Sequence, residues 1–192
     1  WLGINSNDFK HIYLGMKALL DGISPYSFNA LHHQAALQGY RQISLNPYVY
    51  LPFTGHAMAF LAPLRLEQAV VAWFAVNHLF VAGSLWLISG MWPKRRIIAL
   101  AFLTLAMAIS FPLYRTLTAG QLNLALLFMI CAARALLIKG RPGSAGCLLA
   151  FAALYKLMPG IFGLYLLLQR RWSAVAAMVA AGVGLLALST AL

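Results

Sequence analysis

The chain has 192 residues, of which 62% are hydrophobic and only 9% charged, whereas soluble proteins carry about 25% charged residues. That balance excludes a soluble domain, because it cannot build a water-facing surface. A net charge of +11 would point to nucleic acid in a soluble protein. Here the Lys and Arg sit between apolar stretches of bilayer-crossing length, about 20 residues each, so membrane topology accounts for them and no nucleic-acid partner is expected.

The apolar stretches lack the alternation of barrel strands, as residues 97–114 illustrate, so the fold class read from them is all-α, a polytopic transmembrane helical bundle. The chain opens at Trp1 without an initiator Met and stops at Leu192 inside an apolar run, which reads as a fragment truncated at both ends. Cys131 and Cys147 lie in apolar stretches and are read as small buried hydrophobes rather than as a disulfide.

Residues 1–47 form the first unit, a hydrophilic external loop holding Asp8, Asp21, His11, His32 and His33. Within it Phe9, Ile12, Tyr13, Met16, Leu19 and Leu20 repeat at helical spacing. Asn7 is placed to cap this helix, and Gly22 followed by Pro25 to end it. An amphipathic helix lying on the membrane surface is the expectation.

Residues 48–192 form the second unit, the membrane region, with apolar segments at 50–66, 69–91, 97–114, 122–138, 144–168 and 173–192. No repeat of 20 to 50 residues is visible, which argues against a solenoid. The clusters Lys94-Arg95-Arg96, Lys139-Gly140-Arg141 and Arg170-Arg171 are assigned to the cytoplasm by the positive-inside rule. Segment 97–114 then runs outward, 115–121 is an external turn, and 122–138 returns.

Segment 144–168 breaks this parity as one helix, and it would hold Lys156 near mid-membrane. Two half-length helices meeting near residues 156–159 restore the rule. Segment 50–66 raises the same problem. Either it is re-entrant, broken at Pro52 and Pro63, or one of the orientations is reversed.

Few residues in this chain can carry chemistry. Asp8, one of three acids, opens the first helix at the membrane boundary. It is either a base or a carboxylate that complements the helix dipole. Gln121 and Asn123, preceded by Arg115, gather two amides and a cation at one membrane face; they hold sugar hydroxyls or a phosphate, or they bond a polar turn. Lys156 interrupts an apolar run, at a cost on the order of 3 kcal/mol. Its partner is a lipid phosphate or Asp8 itself, unless it snorkels to the interface.

Tyr48, Tyr50, Pro52 and His56 mark the return into the membrane, where aromatic rings commonly sit at headgroup level. The Gly and Ala of 173–192 read as close helix packing. No ligand spacing for a metal, no paired Asp for a nucleotide sugar and no Walker loop occurs, so neither metal nor cofactor is expected. A lipid or small-solute transporter with a midplane site near Lys156 is the alternative function, and a non-catalytic scaffold a third.

Taken in order, Asp8-Phe9 with Tyr13, Gly22, Pro25 and Tyr26, then Tyr48 to Pro52, then Gly120-Gln121-Leu122-Asn123, then Lys156 with Pro159 and Arg170-Arg171-Trp172 resemble the integral-membrane glycosyltransferases of the GT-C type. The specific resemblance is to glycosyltransferase family 87, which includes polyprenol-phosphate-mannose-dependent mannosyltransferases. The sequence departs from the family pattern at Leu51, where a Pro is common.

The resemblance implies an inverting, metal-independent transfer, of mannose or another hexose or pentose. The sugar would pass from a polyprenyl-phosphate donor to a lipid or glycan acceptor, on the external side of a bacterial inner membrane. It makes Asp8 the catalytic base, and Tyr13, Tyr50, Arg115, Gln121, Asn123 and Lys156 the substrate-binding residues. Lys156 and Arg115 would stabilise the leaving phosphate, while Gln121 and Asn123 would orient sugar or phosphate.

Overall fold

The structure is a computed structural model and describes residues 8–191. The expected cap at Asn7 lies outside the described residues. Among the described residues the secondary structure is helical throughout: α1 (Phe9–Leu20), α2 (Phe28–Leu37), α3 (Pro52–Ala57), α4 (Leu66–Ser89), α5 (Arg96–Ala108), α6 (Phe111–Ala119), α7 (Asn123–Ile138), α8 (Pro142–Tyr155), α9 (Ile161–Leu168) and α10 (Trp172–Ala191). By length and composition α4 and α10 can each cross a bilayer alone. The α5–α6 pair, bent by 67°, is a third if it forms one broken span.

α1 forms where the periodicity places it, and Gly22, at φ +69°, follows its end. Its setting differs from the expectation of a helix laid on the membrane surface. Phe9, Ile12, Tyr13, Leu14, Met16 and Ala18 are buried, and so are Lys10 and His11 on the polar side. On the polar side the segment between α2 and α3 reaches the helix, where the Asn46 N–H donates to His11 Nδ1 at 3.1 Å. Phe9 stacks on Trp73 of α4 with ring centroids 5.8 Å apart, while the segment before α3 lays Tyr48 across the helix. The ring of Tyr48 lies so close to Gly15 that a Cβ there would stand 2.2 Å from it, a contact only glycine allows. One apolar core therefore joins α1 to α3, α4, α7 and α8.

Segment 50–66 contains no full span. α3 has six residues and is followed by a single 3-10 turn, Ala59–Leu61, so the chain first enters a long apolar helix at Leu66. Neither short element is long enough to cross a bilayer by itself. Segment 97–114 differs from the single span expected. It breaks after Ala108, where Ser110 caps a new helix by accepting from the Leu113 N–H and Pro112 occupies its first turn. Proline lacks the N–H needed to continue a helix through it. The expected external turn at 115–121 shrinks accordingly, because α6 runs on to Ala119.

Segment 144–168 is two half-length helices, as the charge pattern requires. α8 ends at Tyr155, Lys156 is extended (φ −157°, ψ 129°), and the chain turns through Met158–Gly160 into α9. The hydroxyl of Thr54 on α3 donates to the carbonyls of Leu154 and Tyr155, at 3.4 and 3.2 Å, which satisfies backbone acceptors freed by the break.

Leu166 near the end of α9 packs in one cluster with Ala145 and Leu149 of α8 and Ala174 of α10, so α9 folds back and α10 restarts beside the beginning of α8. Gly146 abuts Ala174 and Gly182 faces Ala150, so α8 and α10 run parallel, with small residues at their contact. The turns bearing Lys139, Arg141, Arg170 and Arg171 thus share one end of the bundle. Cys131 and Cys147 are free, and Cys147 is exposed on the bundle surface rather than buried.

Candidate active site

The opposite end of the bundle carries a cavity of about 250 Å³, lined by Asp8, His11, Asn46, Tyr50, Gln121 and Lys156 among others. Its floor is set by the turn between α6 and α7. Gly120 sits at φ +66°, a left-handed conformation that glycine adopts without strain. Its carbonyl accepts the indole N–H of buried Trp73 at 2.9 Å, and the preceding carbonyl, of Ala119, accepts the backbone N–H of Asp8 at 2.7 Å. The start of α1 is thereby tied to the turn that presents Gln121 and Asn123.

The polar side chains of Asp8, Gln121, Asn123 and Lys156 then meet in sequence, all but Asn123 lining the cavity. Gln121 Nε2 donates to Asp8 Oδ2 at 3.3 Å, Asn123 Nδ2 donates to Gln121 Oε1 at 2.8 Å, and Lys156 Nζ donates to Asn123 Oδ1 at 3.0 Å. A carboxylate and an ammonium are thus joined through two amides rather than in direct contact. Each bond polarises the next, and the two charged ends are left on separate parts of one cavity wall. The chain's other two acids have partners elsewhere: Asp21 accepts from Gln34 at 2.6 Å, and Glu67 accepts from the hydroxyl of Tyr40.

Tyr50 completes the wall. Its carbonyl is held by the hydroxyl of Tyr26 at 2.8 Å and its ring meets Tyr48 edge-on at 5.7 Å. Burial, with the nearby Asp8 charge, raises its phenol above the ordinary value, so it stays a neutral donor at working pH. Beyond Val49, Tyr50 and Lys156 the cavity continues into a recess of about 530 Å³ walled by Leu51, Leu154 and Leu157.

Three residues named from the sequence do not line the cavity; of these Asn123 stands behind it, bonded to Gln121 and Lys156. Tyr13 is buried in the core with its hydroxyl on the carbonyl of Leu64, and Arg115 is exposed on α6; neither lines the cavity. Two unnamed residues join it, His11 and Asn46. The signal for His11 was its place three residues after Asp8, on the same helical face.

His11 Nδ1 accepts the Asn46 N–H at 3.1 Å, which leaves Nε2 as the protonated nitrogen of a neutral ring. Burial, then the neighbouring Lys10 charge, lower its pKa from 6.5 to about 4, with Asp8 acting in the opposite direction. An unfolded chain protonates this His below about 6.5 while the folded one resists until about 4, so stability falls as pH drops through that window. His11→Gln is expected to flatten this dependence in thermal inactivation measured from pH 4 to 7. An unchanged profile would contradict the assignment.

Among the described residues no three His, Cys, Asp or Glu side chains gather as a metal site. The class these features define is a helical membrane protein with a carboxylate, two amides and a cation around one terminal cavity. The model of glycosyltransferase family 87 matches residues 48–192, well over half the chain, and the chain belongs to that family. The match takes in Tyr50, Arg115, Gln121, Asn123 and Lys156 and begins after Asp8 and Tyr13. No curated protein and no solved structure matches the chain. The protein is a membrane glycosyltransferase, and its substrates are accordingly a sugar donor and an acceptor.

Proposed function

We propose that this enzyme transfers mannose, or a closely related hexose or pentose, from a polyprenyl-phosphate donor to a lipid or glycan acceptor. The transfer inverts the anomeric centre and needs no metal or other cofactor. The observation that carries this reading is the hydrogen-bonded path from Asp8 through Gln121 and Asn123 to Lys156 around a single cavity. The acceptor hydroxyl gives its proton to the Asp8 carboxylate as its oxygen bonds to the anomeric carbon. The bond from that carbon to the phosphate oxygen breaks and its electrons leave with the phosphate, whose charge Lys156 offsets. Gln121 and Asn123 orient the sugar between them, and Tyr50 closes one side. Tyr13 and Arg115 do not line this cavity, and the step as written does not use them.

The side of the membrane follows from the basic turns. Lys139, Arg141, Arg170 and Arg171 share the end of the bundle away from Asp8, as does Arg96, which lines a pocket with Lys139. With those turns in the cytoplasm, residues 1–47 are an external loop, 48–192 the membrane region, and the cavity opens on the periplasmic side of the inner membrane. The apolar recess beside Lys156 suits a lipid-linked donor better than a free nucleotide sugar.

The test supplies the whole protein in lipid with radiolabelled polyprenyl-phosphate-mannose or with nucleotide-linked mannose, and a membrane-lipid extract as acceptor. Transfer is expected from the first donor alone; transfer from the nucleotide sugar alone would overturn the reading.

A further inference from the structure

The end of the bundle away from Asp8 holds a second pocket, of about 520 Å³, where the last turns of α4 and α7 meet the start of α5. Arg96, Arg134 and Lys139 line it together with Trp86, Met91 and Ile138. Among the described residues no Asp or Glu lines this pocket to neutralise the three cations. Glu67, on the same helix as Trp86, lies 19 residues away, about 28 Å along α4, and Asp8 lines the cavity at the far end.

Arg96 is fixed for recognition rather than left to sample solvent. One guanidinium N–H donates to the carbonyl of Trp86 at 3.1 Å, and the guanidinium carbon lies 3.5 Å from the centre of the Trp86 ring. Its Nε is enclosed without an acceptor, so the protein's own groups leave this cation incompletely satisfied. Trp86, Met91 and Ile138 are themselves exposed, which gives the basic pocket an apolar rim.

A compact anion with apolar tails fits that combination. We propose that the pocket lined by Trp86, Arg96, Arg134 and Lys139 binds the phosphate of an anionic phospholipid at the membrane face opposite the transfer cavity. The three cations meet the phosphate, and the Trp86, Met91 and Ile138 rim meets the first segments of the acyl chains. Pockets of this kind between helices, at the basic side of a membrane protein, are suited to lipid headgroups. The inference rests on reading the two ends of the bundle as the two faces of the bilayer, and its test uses binding, so it stands or falls apart from sugar transfer.

The whole protein, delipidated in detergent, is titrated with phosphatidylglycerol, phosphatidylcholine and soluble glycerol phosphate, with bound lipid read by native mass spectrometry. Phosphatidylglycerol is expected to bind in preference to phosphatidylcholine, and glycerol phosphate to displace it poorly. Arg134 and Lys139 are exposed, so Arg134→Gln with Lys139→Gln leaves the fold intact and is expected to weaken phosphatidylglycerol about 30-fold without changing phosphatidylcholine. Arg96→Lys, which keeps the charge and loses the planar fork, is expected to weaken it less. Equal binding of the two lipids, wild-type affinity in the double variant, or displacement by glycerol phosphate at matched concentration would overturn the proposal. The last of these outcomes would assign the pocket to free phosphate esters.

Discussion

Asp8→Asn is expected to lower the rate of sugar transfer by at least about 100-fold, and up to about 10,000-fold, the range a positioned general base supplies. The substitution conserves volume, and the new side-chain carbonyl can still accept from Gln121, which now bonds Asp8 Oδ2 at 3.3 Å. The backbone N–H of residue 8 keeps its bond to Ala119, so the tie between α1 and the α6–α7 turn survives. Only the capacity to take a proton is lost. The competing role, a carboxylate that complements the dipole of α1, predicts a stability change of about 1 kcal/mol or less and no loss of turnover. Asp21→Asn and Glu67→Gln are the controls, since those carboxylates bond Gln34 and Tyr40 outside the cavity. Both are expected to transfer at the wild-type rate.

Lys156→Met is expected to lower kcat/KM by about 100- to 1,000-fold, the cost of removing one electrostatic contact to charge developing in a transition state. Met retains the apolar stem along the recess walled by Leu154 and Leu157, so packing is little changed. Lys156→Arg, which keeps a cation of different shape, is expected to recover part of the rate. Because Lys156 bonds Asn123 and Asn123 bonds Gln121, Lys156→Met and Asn123→Ala share one network and their effects should combine to less than their sum. Strictly additive losses, measured in a double-mutant cycle on kcat/KM, would contradict that network. A transporter would lose function with Lys156→Ala yet tolerate Asp8→Asn.

The break at Lys156 was legible because one helix through 144–168 would hold Lys156 near mid-membrane and put Arg170-Arg171 on the outer side, whereas two half-length helices meeting near residues 156–159 do neither. The break before α6 was not. Pro112 stands near the end of its apolar stretch, where a proline reads equally well as the end of a span, and the cap by Ser110 that starts a new helix leaves the hydropathy unchanged.

Helical periodicity also explains which site residues hold together. On α1, His11 lies three residues from Asp8 and shares its face. Tyr13, five residues on, is turned about 140° away and enters the core beside Trp73. Arg115 is close to Gln121 in sequence, but α6 continues to Ala119 and carries it away from the turn that reaches Asp8. The burial of His11 involves a segment more than thirty residues distant, whose Asn46 N–H bonds its Nδ1, which a local pattern does not encode.

The most direct test of the central claim follows the anomeric configuration of the sugar through one turnover. The whole protein in lipid, with chelator present, receives a polyprenyl-phosphate sugar of defined anomer, and the glycosidic linkage of the product is read by NMR. A product of opposite configuration is the predicted result, as one direct displacement assisted by Asp8 requires. A product that retains the donor's configuration, or transfer that stops on adding chelator and returns with a divalent metal, would contradict it.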